Sequence, residues 1–271
     1  MPRTAARYQE EDSSHVVVPK ASKKDLGRIT VVVHLAGAPI VRRRLRALGH
    51  AIWRNMIVVG SRQWEILTGE IGYPAYKVHF FELMAPDTQF FRPIDGTQEG
   101  EYVFSCGREG QDYPTLRRAA AALPYPFRVV ASGWAAHTGF EPAGGLIPTS
   151  NITMRSNVSH DELRAAYAHA RFVVMPIARV DYAAGVTAIC EAMAMGKAII
   201  ATDSPSIRDY VRHGISGLVV PVRAVDELRR AIVQLWNDLD VARKSVHAIA
   251  LGLKRRSTWI TTLSASPVCS E

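Results

Sequence analysis

The chain has 271 residues, of which 48% are hydrophobic and 21% charged, a composition typical of a globular protein with a sizeable core. It contains no run of about eighteen or more apolar residues, and its polar first residues do not resemble a secretory signal, so we predict a cytoplasmic protein without a transmembrane helix. The net charge of +8 favours acidic partners, but no basic tract is interleaved with aromatic residues, which argues against nucleic acid. The cysteines Cys106, Cys190 and Cys269 are too far apart to predict a zinc site or a disulfide framework.

Along the chain, residues 1–27 are expected to form a loose tail. Short β-branched runs and apolar residues spaced on one helical face then alternate as far as residue 84. The predicted elements are strands at 29–35, 56–60 and 77–83 and helices at 39–55 and 61–68, the second capped by Ser61. We interpret 28–84 as a partial domain and the Pro-rich stretch 85–96 as a hinge.

After residue 96 the alternation becomes regular. The predicted strands cover 102–106, 127–132, 151–154, 172–175, 198–202 and 217–220, and the predicted helices cover 114–123, a segment capped by Ser159 and Glu162, 186–195, 226–239 and 241–253. Strands alternating with helices of about ten residues predict parallel βαβ units, and so a doubly wound α/β domain over 97–253. An irregular tail at 254–271 follows.

Ligands of such a domain bind at the carboxyl ends of the strands. One candidate place follows the strand at 102–106, where Gly107 and Gly110 permit a tight bend and Arg108 can pair with a phosphate. This pattern is common, and a solvated surface arginine explains it equally well.

A second candidate place is the start of the helix at 186–195. Gly185 precedes a helix whose free N–H groups can hold a diphosphate. Glu191 lies between apolar neighbours in that helix, and a carboxylate there is costly unless it has a partner or a ligand. The alternative is a structural glutamate bonded to an arginine or to the backbone. This alternative carries less weight, because the two candidate places would face one cleft.

Five segments in order then resemble a known family. They are Gly107-Arg108, the Ser-His-Asp-Glu-Leu stretch from Ser159, Met175-Pro176, the Glu-Ala-Met-Ala-Met-Gly-Lys stretch from Glu191, and the His-Gly-Ile-Ser-Gly stretch from His213. Together they resemble the C-terminal domain of family 4, or group 1, glycosyltransferases, and 87–93 is similar to the family's interdomain hinge. The resemblance implies a GT-B fold, with two Rossmann-like domains, an acceptor site in the first and a nucleotide-sugar site in the second.

The resemblance also implies roles for single residues. Glu191 would hold the donor ribose hydroxyls, and Arg108, beside Gly107, would neutralise phosphate. Backbone groups of Gly185, Val186 and Thr187 would meet the diphosphate or the sugar, and Val158 would line the base pocket. The family retains anomeric configuration and usually needs no metal, so we expect no metal and no cofactor.

Three departures from the family pattern stand out. The family often has a second acid eight positions before the glutamate, where this chain has Ala183, the nearest acid being Asp181. The family's second basic donor residue is replaced by Gln111 and Asp112. A complete acceptor domain needs roughly 150 residues before the hinge, and about 85 are present. We therefore expect a truncated chain that does not transfer a sugar by itself.

Two alternatives stay open beside a glycosyltransferase with an unknown acceptor, whether glycan, lipid or small molecule. One is a non-catalytic nucleotide-sugar-binding module. The other is a GT-B-fold sugar-nucleotide epimerase, which would need acids and a histidine such as His160 or His213 in the cleft. Four arginines beside the apolar stripe of the helix at 39–55 also raise the hypothesis of peripheral contact with the inner face of the membrane. We prefer an ordinary amphipathic helix packed on the sheet.

Overall fold

The computed structural model describes residues 29–49, 53–80, 86–97, 100–131, 150–205 and 207–238. Its strands are β1 (Thr30–Val32), β2 (Asn55–Val58), β3 (Val78–Phe80), β4 (Tyr102–Gly107), β5 (Phe127–Ala131), β6 (Ile152–Arg155), β7 (Ala170–Met175), β8 (Ile199–Thr202) and β9 (Leu218–Val220). Its α-helices are α1 (Pro39–Leu48), α2 (Ser61–Glu65), α3 (Tyr113–Ala120), α4 (His160–His169), α5 (Val186–Ala194) and α6 (Val225–Asn237). A π-helical segment, Ile66–Ile71, continues α2, and a 3₁₀ turn, Ala75–Lys77, precedes β3.

The first unit is a three-stranded parallel sheet in the order β1-β2-β3. Helix α1 packs on it through Val41 and Leu45, which are both buried. The predicted helix at 39–55 was too long, because the chain leaves the helix at Gly49 with a positive φ of 73° and Asn55 already lies in β2. A left-handed glycine after the last turn ends a helix at little steric cost.

The cap of α2 also differs from the prediction. Gly60, not Ser61, is the N-cap, and no side chain of the helix itself caps it. The backbone N–H of Ser61 instead donates to Asp209 Oδ2 at 2.8 Å, from a distant part of the chain. A carboxylate at a helix start satisfies a free donor and complements the helix dipole. The helix is thereby tied to the second unit.

The second unit is a six-stranded sheet in the order β6-β5-β4-β7-β8-β9, with every pairing parallel. The order reverses between β4 and β7, as in a Rossmann sheet. One face packs under α4 and α5 and the other under α3 and α6, which gives two apolar cores. The predicted doubly wound α/β architecture is confirmed.

The predicted boundaries of most elements shift by one to three residues, within ordinary fraying. In the part of the chain that the structure describes, no helix is both long and apolar enough to cross a membrane. The tails predicted at 1–27 and 254–271 and the helix predicted at 241–253 lie outside the described residues.

Candidate functional site

A cleft of about 1000 Å³ opens where the strand order reverses, at the carboxyl ends of β4 and β7. Loops and helix starts that follow β4, β6 and β7 form its main wall, and the loop after β1 faces them. Parallel α/β sheets bind ligands at this position, because the loops there splay apart and helix N-termini point inward.

All seven residues predicted to bind a donor line this one cleft: Gly107, Arg108, Val158, Gly185, Val186, Thr187 and Glu191. Their roles toward a donor stay predictions. Of the two histidines considered for an epimerase, His160 lines the cleft, whereas His213 lies in a turn near β9 and bonds the backbone of Val219. In the described part of the chain, no three His, Cys, Asp or Glu side chains cluster as metal ligands would.

The loop after β4 and the loop after β7 are bonded to each other. Ala178 donates its backbone N–H to Gly110 O at 2.7 Å, and Asp112 donates to Pro176 O. Gly110 has a φ of +69°, and a Cβ there would lie 2.7 Å from the Ala184 Cβ. Glycine is therefore required both by backbone conformation and by close packing. The pairing fixes the loop of Gly107 and Arg108 beside the start of α5.

Gly185 is the N-cap of α5 and adopts a left-handed conformation with φ +74°. A Cβ at this position would lie 2.4 Å from Ile177 Cδ1. The first N–H groups of a helix have no intrahelical partner, and Val186 and Thr187, which begin α5, line the cleft. A helix start of this kind can hold an anion.

Glu191 lies one turn and a half into α5, half-buried at the cleft wall. Its Oε2 accepts a hydrogen bond of 3.0 Å from the hydroxyl of Tyr167. Burial raises the pKa of Glu191, and the Tyr167 hydrogen bond and the nearby His160 partly offset this. Within the described part of the chain no arginine pairs with this carboxylate, so it keeps acceptor capacity for a ligand.

The start of helix α4 forms the part of the cleft wall that contains Val158 and His160. Ser159 accepts from the N–H of Glu162, and Glu162 Oε2 accepts from the N–H of Ser159, so the predicted capping box is confirmed. The cap ends the extended segment that carries Val158 and begins the helix at His160. Both side chains thereby line the cleft.

His34 and Leu35, from the loop after β1, form the facing wall. That wall is anchored by Tyr210, whose hydroxyl donates to Val59 O at 2.7 Å, and by Arg42, which pairs with Asp181 at 2.7 Å. Asp181 does not take the place of the family's upstream acid, because it is bound by arginine and is not among the residues that line the cleft.

The sequence analysis did not single out His34 and Cys106, which line the cleft, or Tyr167, which lies behind Glu191. A signal for Tyr167 was available, because it lies four positions after Leu163 and so shares the inner face of α4. Nothing local in the sequence indicated that His34 or Cys106 faces the cleft.

The charge of the cleft is modest. Among its described lining residues Arg108 is the one permanent cation, and Glu109 and Glu191 are acids. A bound diphosphate would therefore depend on Arg108 and on the start of α5 together.

Comparison with known proteins finds a family model and relatives that are similar to parts of this chain. Residues 111–238 match the model of the family described as glycosyl transferases group 1. A GDP-mannose-dependent alpha-(1-6)-phosphatidylinositol monomannoside mannosyltransferase of Mycobacterium tuberculosis is 32% identical over 165 residues, which cover 57% of this chain and 40% of that protein. The chain thus spans about two fifths of the length of this curated relative.

Solved structures identify the fold. The sucrose-phosphate synthase of Thermosynechococcus elongatus is similar with a TM-score of 0.63 at 18% identity, over 88% of this chain and 68% of that one. HepE of Anabaena, solved in complex with UDP and glucose, has a TM-score of 0.68 at 15% identity, over 88% of this chain and 71% of that one. The fold is GT-B, as the resemblance implied.

Proposed function

We propose that this chain, whose residues 111–238 match the family of group 1 glycosyl transferases, is a glycosyltransferase of that family that binds a nucleotide-diphosphate sugar in its cleft for transfer of the sugar to an acceptor. One observation carries the proposal. Glu191, Arg108 and the glycine-capped start of α5 surround a single cleft of about 1000 Å³ at the point where the strand order reverses. Retention of the anomeric configuration is part of the proposal by family resemblance.

Each part of the cleft has a role in it. Glu191 accepts the ribose hydroxyls, the N–H groups of Val186 and Thr187 hold the diphosphate, and Arg108 neutralises its charge. Gly107 and Gly185 allow the backbone to approach the phosphates closely, and Val158 lies against the base. In this proposal the base, the ribose and the diphosphate are all contacted by described residues of the second unit.

The donor is best sought among guanosine and uridine diphosphates. The mycobacterial relative is named as GDP-mannose-dependent, and the Anabaena structure contains UDP. We place GDP and GDP-mannose first, because the relative named for them is 32% identical, whereas the Anabaena protein is 15% identical and is similar in fold alone.

Calorimetry with GDP, UDP and ADP tests donor binding by the chain. Glu191→Ala should lose a hydrogen bond to a charged acceptor, about 1.5–3 kcal/mol, or roughly 10- to 100-fold in affinity. Glu227→Ala is the matched control, since Glu227 pairs with Arg230 on α6, outside the cleft. A folded chain that gives no heat with any of the three nucleotides contradicts the proposal.

The two alternatives make different predictions. A non-catalytic binding module binds the nucleotide but neither transfers nor hydrolyses the sugar of GDP-mannose or UDP-glucose. An epimerase converts the free sugar nucleotide without any acceptor, and His160 is the one histidine of the two considered that lies in the cleft. Product analysis by chromatography, with and without acceptor extracts, identifies an epimerase by conversion of the free donor, and sugar transfer or hydrolysis by the pure chain excludes the non-catalytic module.

Peripheral membrane contact through helix α1 stays a hypothesis. Val41 and Leu45 of its apolar stripe are buried in the small-sheet core, and Arg42 is paired with Glu70 and Asp181. Within the described helix, the exposed Arg43, Arg46 and Ile40 remain for such a contact, which would be mainly electrostatic. Sedimentation with anionic and neutral vesicles tests it, and equal binding to both, or none, removes it.

A further inference from the structure

Glu191 is the end of a short chain of hydrogen bonds that runs into the protein core. The Tyr167 hydroxyl lies 3.0 Å from Glu191 Oε2 and 3.2 Å from the Ala188 carbonyl oxygen. Behind it, Cys106 Sγ lies 2.9 Å from the same hydroxyl. Three elements meet here, since Cys106 is the second-last residue of β4, Tyr167 is on α4 and Glu191 is on α5.

The direction of these bonds follows from which groups keep their protons. Burial raises the pKa of Cys106 to about 12 and raises that of Tyr167 well above its ordinary value, so both remain protonated near neutral pH. The thiol can then donate to the phenol oxygen, and the single phenol proton goes to Ala188 or to Glu191. A carboxylate is the stronger acceptor, because a charge-assisted bond exceeds one to a neutral carbonyl.

This arrangement restricts a side chain that is otherwise loose. The last torsion of a glutamate is broad, so a carboxylate at a cleft wall presents its oxygens in many orientations. A bond from Tyr167 to Oε2 fixes that torsion and leaves Oε1 for a ligand. A site that holds an acceptor in one orientation rejects an analogue that lacks the matching hydroxyl, because the buried acceptor is then left without its partner.

We propose that Tyr167 is a positioning residue that orients Glu191 so that the cleft selects nucleotides with an intact ribose diol. The inference rests on the proposed function, in which Glu191 meets the ribose. Tyr167 itself does not touch the ligand, because it is fully buried and is not among the residues that line the cleft.

The test compares a nucleoside diphosphate with its 2′-deoxy form by calorimetry, using GDP and 2′-deoxy-GDP first and the uridine pair second. The wild-type chain should prefer the ribonucleotide by about tenfold, the loss expected for one hydrogen bond to a charged group. Y167F should weaken ribonucleotide binding and leave deoxynucleotide binding nearly unchanged, which shrinks the preference to about two- or threefold. If Tyr167 had a merely structural role, Y167F would weaken the binding of both nucleotides equally.

Y102F is the matched control. Tyr102 is buried, and its hydroxyl donates to Ala166 O at 2.9 Å. Ala166 is on helix α4, directly before Tyr167. Y102F should lower the melting temperature comparably but keep the tenfold preference. In the E191Q background Y167F should change the preference little, because two substitutions that act through one contact are not additive. That background also supplies a second route to the measurement if Y167F alone folds poorly, since E191Q removes a buried charge.

Three results decide the matter. A preference that shrinks in Y167F and persists in Y102F supports the proposal. If Y167F keeps the same preference for the ribonucleotide as the wild-type chain, the positioning role of Tyr167 is overturned, while the proposed function stands. A wild-type chain that binds neither nucleotide, or binds both equally, overturns the placement of the ribose at Glu191 and the inference with it.

Discussion

Arg42 and Asp181, which are 139 positions apart, are joined by a hydrogen bond of 2.7 Å between Nη2 and Oδ2. The bond links helix α1 of the small sheet to the loop that leads into the start of α5. Arg62 approaches the other oxygen of Asp181 at 3.5 Å, and both arginines also bond Glu70 at 2.7 Å. The two walls of the cleft are therefore held together by one half-buried ionic network.

Asp181→Asn should weaken this link. We expect the free energy of unfolding to fall by about 1 kcal/mol, between the values typical of exposed and buried pairs, and the loss to shrink at about 1 M salt, where charges are screened. Urea unfolding at low and high salt measures it. Asp226→Asn is the control, since its pair with Arg229 lies on the surface of α6 and should contribute little. Equal losses in the two variants would contradict a special role for Asp181.

Gly37→Ala should separate the same two walls sterically. A Cβ at this position would lie 1.9 Å from the Asp181 carbonyl oxygen, and a backbone oxygen cannot rotate away as a side chain can. We expect a loss of about 2 kcal/mol or more in thermal or urea unfolding. Gly69→Ala is the control, because nothing lies within 4 Å of a Cβ there, and alanine should be neutral or slightly stabilising. An unchanged stability for Gly37→Ala would show that the walls are not in contact in solution.

Glu191→Gln should stabilise the unliganded chain while weakening nucleotide binding. Burial raises the pKa of Glu191 in the folded state, so its contribution to stability is fully present below the ordinary glutamate pKa and is lost as the pH rises through the raised value. At pH 7 the substitution removes that cost, and the melting temperature should rise. At pH 4 the two chains should be nearly equal. A lower melting temperature for the variant at pH 7 would contradict this.

Nucleotide affinity should depend on pH for the same reason. Ribose hydroxyls donate to an ionised carboxylate more strongly than to a protonated one. Affinity should therefore fall as the pH is lowered through the raised pKa of Glu191, starting above the ordinary glutamate pKa of about 4.3. Titration calorimetry from pH 5 to pH 8 checks it, with Glu191→Gln as the variant in which this part of the dependence is absent. Ionisation of the nucleotide phosphates affects the affinity of both chains equally, so the comparison removes its contribution to the pH dependence.

Lys197→Met should destabilise the second unit. Lys197 is buried, and its ammonium group donates to the carbonyl oxygens of Ala168 and Ala170 at 2.7 and 3.0 Å, where α4 gives way to β7. The substitution removes the charged donor of those two carbonyl groups, which should lower the free energy of unfolding by about 2 kcal/mol. Lys77→Met should cost much less, because the hydrogen bond from Lys77 Nζ to Trp53 O is 3.5 Å long. Denaturant unfolding of both variants makes the comparison.

The sequence alone was sufficient for the features that depend on neighbouring residues. The alternation of strands and helices indicated the doubly wound sheet, because a period of two or of 3.6 residues is visible in any short window. The capping box of Ser159 and Glu162 can be recognised from a spacing of three residues. Gly185 before α5 can be recognised because glycine is the residue that most readily adopts a left-handed conformation. The ordered motifs then placed Gly107 and Arg108 at the end of one strand and Glu191 on the helix that follows another, at the edge of the parallel sheet where both strands end.

The tertiary structure alone decided the contacts between distant segments. Tyr167 meets Glu191 because α4 and α5 cover the same face of the sheet, and Asp209 rather than Ser61 satisfies the start of α2 because the two units touch. The partner of Asp181 is likewise an arginine 139 positions away. Such pairs leave no periodic trace in the sequence, since their distance depends on strand order and on the packing of whole elements, and a local pattern contains neither.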